Sequence, residues 1–485
     1  MNATQTNQVA DKREHHARRR TNTSFIRDVN RLIGCFIDSK DITALGPAYK
    51  DLSFEECEKQ LILHRMSKKF EEPNDELAEG RAAASIAKMV AADEQGIKTF
   101  QPALLKLDPY VRHQLYNIRA RLHERISNYR FDCTRFQLPS GETFVSSGGD
   151  VSAYAKLRDR SQWVTTHKNF DRFAEVCYNS PMLKFAARRH MKMWQSETGR
   201  RFAYSKMWKK AKALGLRNPG FVVFKSMLRH IVTFSPFARL TTVPKDNTND
   251  RVIECECFCN MIVQRAIETV VRSIIKDEFD VDLDVSQTVH KLLLLDDNNV
   301  TIDLKNASNS VYMSVVDWFM GDTKLGRDIK ASRSQSVTYV NSDGQRCEHR
   351  FVMMSPMGNG FTFGIMTLLL LTICREFDSF AHVFGDDIIV DKDVAYDVIS
   401  LLKVIGFETN ESKTFVSGNF RESCGGFTAE GRYITSFDLT WSVDIVDAMI
   451  ATNKIGVMAN SASYEFGLEL LKLHADLIEA CPPHL

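Results

Sequence analysis

Apolar residues recur at helical spacing over Phe54–Met66, Asp75–Glu94 and Val111–Asn128, which predicts three helices in the first quarter of the chain. The pattern changes near Thr301. Val300-Thr301-Ile302 is short and β-branched, as a strand is, and Leu304–Ser310 reads as a turn leading into a helix. Two further β-type runs, His382–Phe384 and Ile388–Val390, flank Gly385-Asp386-Asp387, which predicts a hairpin with glycine supplying the backbone freedom of its tip. Phe361–Cys374 is the most apolar run, but it is interrupted by Thr and Gly and falls short of the ~20 residues that span a bilayer. It predicts a buried helix and no membrane association. Asp391–Val404 predicts the helix after the hairpin, and Pro139–Asp150 and Asp246–Asp250 are polar loops. The order strand, helix, hairpin, helix, strand implies an antiparallel sheet backed by helices, an α+β fold.

The hairpin places two adjacent carboxylates, Asp386 and Asp387, on one tip. Like charges so close raise each other's pKa and destabilise the fold unless a cation lies between them. Gly and Asp are also ordinary turn residues, so a metal reading needs a third acid. Asp303, at the end of the Val300–Ile302 run, supplies it if the two strands are neighbours. Three such carboxylates can hold two Mg²⁺ ions roughly 3.5–4 Å apart, the arrangement used for in-line phosphoryl transfer. Between the acids lies Ser355-Pro356-Met357-Gly358-Asn359-Gly360, a flexible loop in which Asn359 can offer an amide to ribose hydroxyls or simply cap the following helix.

Composition adds a polarity that the formal charge of +2 conceals. Ser180–His230 holds thirteen Lys or Arg and one acid, Glu197, interleaved with Phe185, Trp194, Phe202, Tyr204, Trp208, Phe221 and Phe224, whereas Asp246–Asp297 is acidic. Cations neutralise phosphates and aromatic faces stack on unpaired bases, so the first segment suits RNA. An amphipathic helical pair with aromatics in its core is the alternative. Eleven cysteines include no CxxC pair, which argues against a zinc site or a disulfide framework and fits a reducing cytoplasm. Cys255, Cys257 and Cys259 alternate and would share one face of a strand as small buried residues. Asp11–Arg20 is charged and lacks an apolar signal region, so it reads as an arm.

Further strings complete a series: Val243-Pro244-Lys245-Asp246-Asn247 with Arg251, then Lys413-Thr414-Phe415 and Phe420–Gly426, with a weaker FVSSGG at Phe144–Gly149. From Pro236 to about Leu439 this series resembles the RNA-directed RNA polymerases (replicase catalytic subunits) of single-stranded RNA bacteriophages, the Qβ replicase family. The resemblance implies a right-hand polymerase with fingers, an antiparallel-sheet palm and a reduced thumb. Its expected divisions are residues 1–60 as an N-terminal extension, 61–290 fingers, 291–430 palm and 431–485 thumb. It also implies roles: Asp303, Asp386 and Asp387 as metal-binding acids with the Leu304 carbonyl as an extra ligand, and Lys413 as general acid. Lys245 and Arg251 grip the triphosphate, while Ser355, Asn359 and Asn309 read the ribose. Two Mg²⁺ ions, replaceable by Mn²⁺, a single-stranded RNA template and nucleoside triphosphates follow. So do host elongation factors Tu and Ts and a ribosomal protein, in a bacterial cytoplasm. Where the family carries D-L-S-x-A-S-D-S this chain reads D-L-K-N-A-S-N-S, so Lys305 replaces a serine and Asn309 an acid. A polymerase of a narna-like or mitovirus-like virus shares the chemistry. An inert RNA-binding relative is the reading these two departures favour.

Overall fold

The computed structural model describes residues 22–100, 104–146, 151–246 and 248–483. The charged run Asp11–Arg20, Ser147–Gly149 of the FVSSGG string and Asn247 lie outside them. The three early helices form where the periodicity sets them, each started by a polar cap. Ser53 accepts from the Glu56 amide to open Phe54–Ser67, Asn74 accepts from the Leu77 amide to open Asp75–Glu94, and Asp108 with Pro109 opens Pro109–Arg125.

The strands are β1 (Val164–Thr165), β2 (Thr233–Phe234), β3 (Phe237–Pro244), β4 (Asp250–Cys255), β5 (Asn299–Ile302), β6 (Ser336–Val340), β7 (Arg346–Arg350), β8 (His382–Phe384), β9 (Asp387–Asp391), β10 (Phe420–Ser423), β11 (Gly426–Ala429) and β12 (Arg432–Tyr433). Among the described residues they form four sheets, ordered β1-β2, β4-β3-β6-β7, β5-β9-β8 and β10-β11-β12. The sheet carrying the acids is antiparallel throughout. The last strand of the expected series does not extend it: β10 pairs with β11 and packs on β5, where Arg421 Nε donates to the Asn299 carbonyl at 2.7 Å, and the chain before it adds single bridges, Thr301↔Phe415 in β5 and Leu304↔Thr409 just beyond it. The molecule is a mixture of helix and sheet, as an α+β class requires.

The Thr362–Cys374 helix buries every side chain except Phe363. Apolar all round, it can sit only inside the protein. Leu368 through Leu371 are wholly buried, each contributing about 2 kcal/mol by removal from water. This helix joins β5, β8, β9 and the long Phe258–Phe279 helix in the main core. A second core forms from chain regions far apart: residues 22–38 and Phe54–Ser67 pack against Ile445–Ser461 and Tyr464–Ala480. Asn30 Nδ2 and Oδ1 seal that contact on the Ser442 carbonyl and amide, each at 2.9 Å.

The cysteine triplet corrects one expectation. All three are buried, but Cys255 ends β4, Cys257 caps a helix and Cys259 lies within it, so they do not share a strand face. The chain turns there because Glu256 accepts from its neighbour's amide, Cys257 N, at 2.7 Å and from Ser334 N, Asn260 and Gln264.

Candidate active site

The β5–β9 register runs from Asn299↔Asp391 to Ile302↔Ile388, so one more step sets Asp303 opposite Asp387. Facing Cα atoms of an antiparallel pair are roughly 4.5–5.5 Å apart. β8 and β9 close at Phe384↔Asp387, which leaves Gly385-Asp386 as a two-residue loop. Gly385 has φ +67°, the sign a tight hairpin demands at its first loop position. Behind the tip stands the buried helix: Thr367 Oγ1 accepts from the Gly385 amide at 3.0 Å, and the Phe363 ring meets Phe384 edge-on at 4.8 Å.

A second layer of groups fixes the acids. Asp303 Oδ2 accepts from Asn410 Nδ2 at 2.7 Å, and the Asp303 carbonyl accepts from the Asn410 amide at 2.8 Å. Because Thr301, Asp303 and Lys305 all bond toward residues 408–415, strand alternation turns the Leu304 carbonyl to the opposite edge, that of β9. Asp387 Oδ1 accepts from the Cys424 amide at 3.1 Å. Lys413 Nζ is paired with Glu422 Oε1 at 3.1 Å.

Electrostatics bind these residues into one cluster. Burial pushes Asp303 up to about 7; Lys413 and Asn410 oppose the shift, while Asp386 and Glu422 reinforce it. Burial likewise lifts Asp387 to about 6 against the Cys424 amide and Lys413, with Asp386 and Glu422 again adding to the rise. Burial works against the Lys413 ammonium, yet Glu422, Asp303 and Asp387 outweigh it and hold Lys413 above the usual lysine value. Asp303, Asp386, Asp387, Lys413 and Glu422 therefore sense one another. Glu422 and Cys424 lie within the Phe420–Gly426 string and Asn410 just before Lys413, but no signal in the sequence gives any of the three a role of its own.

The donor set is oxygen and negative, which suits a hard divalent cation. Among the described residues no three His, Cys, Asp or Glu side chains converge into a ligand cage.

The remaining candidates lie on adjoining elements. Lys245 and Arg251 are exposed at the end of the β3–β4 hairpin, in a different sheet from the acids. The Ser355–Gly360 loop connects that hairpin to the buried helix, because the Glu254 amide of β4 donates to the Met357 carbonyl at 2.7 Å. Ser355 is buried, its hydroxyl 2.6 Å from that of Thr362, and Asn359 is buried beside it. Asn309 lies in the short turn Ala307–Ser310, packed on the same helix, with Lys305 exposed nearby. In the basic segment the two readings divide: Phe224 is buried and Trp194 stacks on Phe202, whereas Phe185, Tyr204 and Trp208 are exposed among lysines and arginines. No helix among the described residues is long and apolar enough to cross a membrane.

A family model described as RNA replicase, beta-chain matches residues 169–457, well over half of the chain. The chain is 32% identical over 224 residues to the RNA-directed RNA polymerase subunit beta of Qbeta virus strain MX1, covering 43% of this chain and 36% of that protein. It is 33% identical over 218 residues to the RNA-directed RNA polymerase beta chain of Escherichia phage MS2, covering 43% of this chain and 39% of that one. These matches thus span well under half the length of those relatives. Among solved structures, a BmCPV RNA-dependent RNA polymerase at elongation state superposes with a TM-score of 0.40 at 13% identity, over 76% of this chain and 33% of that one.

Proposed function

This chain belongs to the RNA replicase beta-chain family, and on that premise we propose that it is an RNA-directed RNA polymerase copying a single-stranded RNA phage genome. The observation that supports the proposal is the β5–β9 register, which ends at Ile302↔Ile388, one residue short of Asp303 on one strand and of Asp387 on the other, with Asp386 in the adjoining two-residue loop. That is a site for nucleotidyl transfer, in which a ribose 3′-oxygen attacks the α-phosphate of a nucleoside triphosphate and pyrophosphate leaves.

Asp303, Asp386, Asp387 and the Leu304 carbonyl would hold two Mg²⁺ ions, with Mn²⁺ able to replace them, and these ions supply charge stabilisation for the attacking and leaving oxygens. Asn410 and the Cys424 amide keep Asp303 and Asp387 in position. Lys413, cationic and held by Glu422, can pass a proton to the departing pyrophosphate. Lys245 and Arg251 reach the triphosphate from the neighbouring hairpin, and Ser355, Asn359 and Asn309 line the ribose side. Residues 61–290 and 291–430 correspond on this reading to fingers and palm, and 431–485 to a small thumb. The exposed cations and aromatics of Ser180–His230 are the surface best suited to the template.

Because the relatives are named as beta subunits, partner subunits are part of the proposal. Host elongation factors Tu and Ts and a ribosomal protein are the candidates, in the bacterial cytoplasm. The direct test is Asp387→Asn, which removes a charge at nearly constant volume. We expect a folded protein whose template-directed incorporation of labelled nucleotide is abolished with or without host extract; undiminished synthesis overturns the proposal.

A further inference from the structure

A buried histidine joins the sheet that carries the acids to its small neighbour, β10-β11-β12. The helix Ser286–Leu293 lies against β8 of the first and β11 of the second. Its end is fixed to the second sheet, where Thr428 Oγ1 donates to the Leu294 carbonyl at 3.0 Å and the Tyr433 hydroxyl donates to that of Lys291. The contact has no slack, since a Cβ on Gly426 would lie 2.7 Å from Lys291 Cγ. From this helix His290, wholly buried, sets Nδ1 2.7 Å from Ser423 Oγ, and His382 of β8 closes on its ring at 4.8 Å.

Ser423 leads straight to the acids. Its hydroxyl lies 3.4 Å from Asp387 Oδ1, the oxygen that also accepts from the Cys424 amide. A tight turn presents both donors: Ser423↔Gly426 closes a two-residue loop in which Cys424 has φ +51° and Gly425 +70°. A side chain at the first of those positions is held in sparsely populated backbone, as happens where a site fixes its geometry.

At 3.4 Å the hydroxyl contact is long, so its worth depends on where the single Ser423 hydrogen points. Given to His290, it leaves bare oxygen lone pairs facing a carboxylate. Given to Asp387, it requires a hydrogen on His290 Nδ1. Burial pushes His290 down to about 3, with His382 reinforcing the shift, so the ring is neutral and carries one hydrogen. On Nε2, which has no hydrogen-bond partner among the described residues, that hydrogen would be a buried donor with nothing to meet; on Nδ1 it meets Ser423.

We propose that His290 is a positioning residue for Asp387: its Nδ1–H donates to Ser423 Oγ, which turns the hydroxyl hydrogen onto Asp387 Oδ1 and keeps that carboxylate aimed at a divalent cation. This rests on the polymerase reading of the site. It extends the metal site to a helix that touches neither substrate nor metal.

The test compares the whole chain as wild type, His290→Asn, His290→Ala, Ser423→Ala and the His290→Ala/Ser423→Ala double variant. Asparagine sets an amide nitrogen where Nδ1 stood. Mn²⁺ titrated alone, followed through the paramagnetic signal of the free ion, should bind about tenfold or more weakly to His290→Ala and Ser423→Ala, the usual effect of removing an outer partner of a metal ligand. The double variant should be no weaker than the worse single one, because both remove the same bond, and His290→Asn should keep most of the affinity. Nucleotide incorporation should need more Mg²⁺ in the alanine variants and recover at saturating Mg²⁺. Nitrogen-15 spectra of histidine-labelled wild type should show, in the signal lost from His290→Asn, a neutral ring with its hydrogen on Nδ1. A hydrogen on Nε2, no Mn²⁺ binding by wild type, unchanged affinity in Ser423→Ala, or additive losses in the double variant overturns the proposal. Should His290→Ala not fold, Ser423→Ala and His290→Asn decide it. A wild type that binds Mn²⁺ but makes no RNA counts against the polymerase reading alone, since titration and spectrum are read without turnover.

Discussion

Gly385→Ala strikes the tip that joins the hairpin to the buried helix. Alanine at φ +67° costs about 1–2 kcal/mol through its clash with the neighbouring carbonyl. Its Cβ would also lie 2.7 Å from Cε2 and 3.2 Å from Cδ2 of Phe363, and Phe363 is braced against Phe384 at 4.8 Å, so the ring cannot withdraw freely. Overpacking of that kind costs about 1–3 kcal/mol. The two contributions give about 2–5 kcal/mol, a large part of the ~5–15 kcal/mol that ordinarily holds a domain together. Urea unfolding should show a lower midpoint at unchanged slope. Phe363→Leu removes the ring edge but leaves the backbone conflict, so combining it with Gly385→Ala should recover about 1–2 kcal/mol relative to additivity. Nucleotide incorporation should fall by about 10²-fold, since displacing Asp386 by ~1 Å is enough for that. A Gly385→Ala protein within about 0.5 kcal/mol of wild type, or one that shows no coupling to Phe363, refutes the packing argument.

Burial raises Glu268 from 4.5 to about 7, where it accepts from Arg272 Nε and the Gly364 amide. Below pH 4.5 folded and unfolded chains both hold the proton; as pH climbs from 4.5 to 7 the unfolded chain loses it first, so stability should fall by roughly 3 kcal/mol and then level off. Glu268→Gln should flatten that slope in melts between pH 4.5 and 8, and an unchanged slope would count against it. Lys413→Met should lower the incorporation rate by about 10²–10⁴-fold while leaving RNA affinity nearly intact, with Lys413→Arg recovering part of the rate; equal losses in rate and affinity would point to a structural role. Replacing Lys206, Lys209 and Lys210 together by alanine should reduce the salt dependence of single-stranded RNA binding by about 2 in log–log slope, as read by filter retention, and no change would remove that helix from the interface.

The hairpin and the helices were legible because their signals are local. Asp75–Glu94 carries its cap and its period within twenty residues, and Gly385 announces its own turn. Non-local pairing was not legible. Nothing in Phe237–Pro244 tells that one edge takes β4 antiparallel and the other β6 in parallel across a hundred residues. The Cys255–Cys259 string even misleads: alternation puts the three cysteines on one strand face, whereas the chain leaves β4 at Cys255 and enters a helix at Phe258. Asp303 was found because its acid ends a strand, while Glu422 and Asn410 earn their place only through folding.

The layer formed by residues 22–38, Phe54–Ser67 and the two helices after Ile445 sets a timetable for biosynthesis. Asn30 must wait for Ser442, 412 residues downstream, which at ordinary ribosomal speed takes about 20–80 s. Throughout that interval Phe25, Val29 and Ile33 have only Ile62, Leu63 and Met66 of their final cluster for apolar cover. The nascent chain must keep residues 22–38 from sticking to other chains until residues 445–480 emerge.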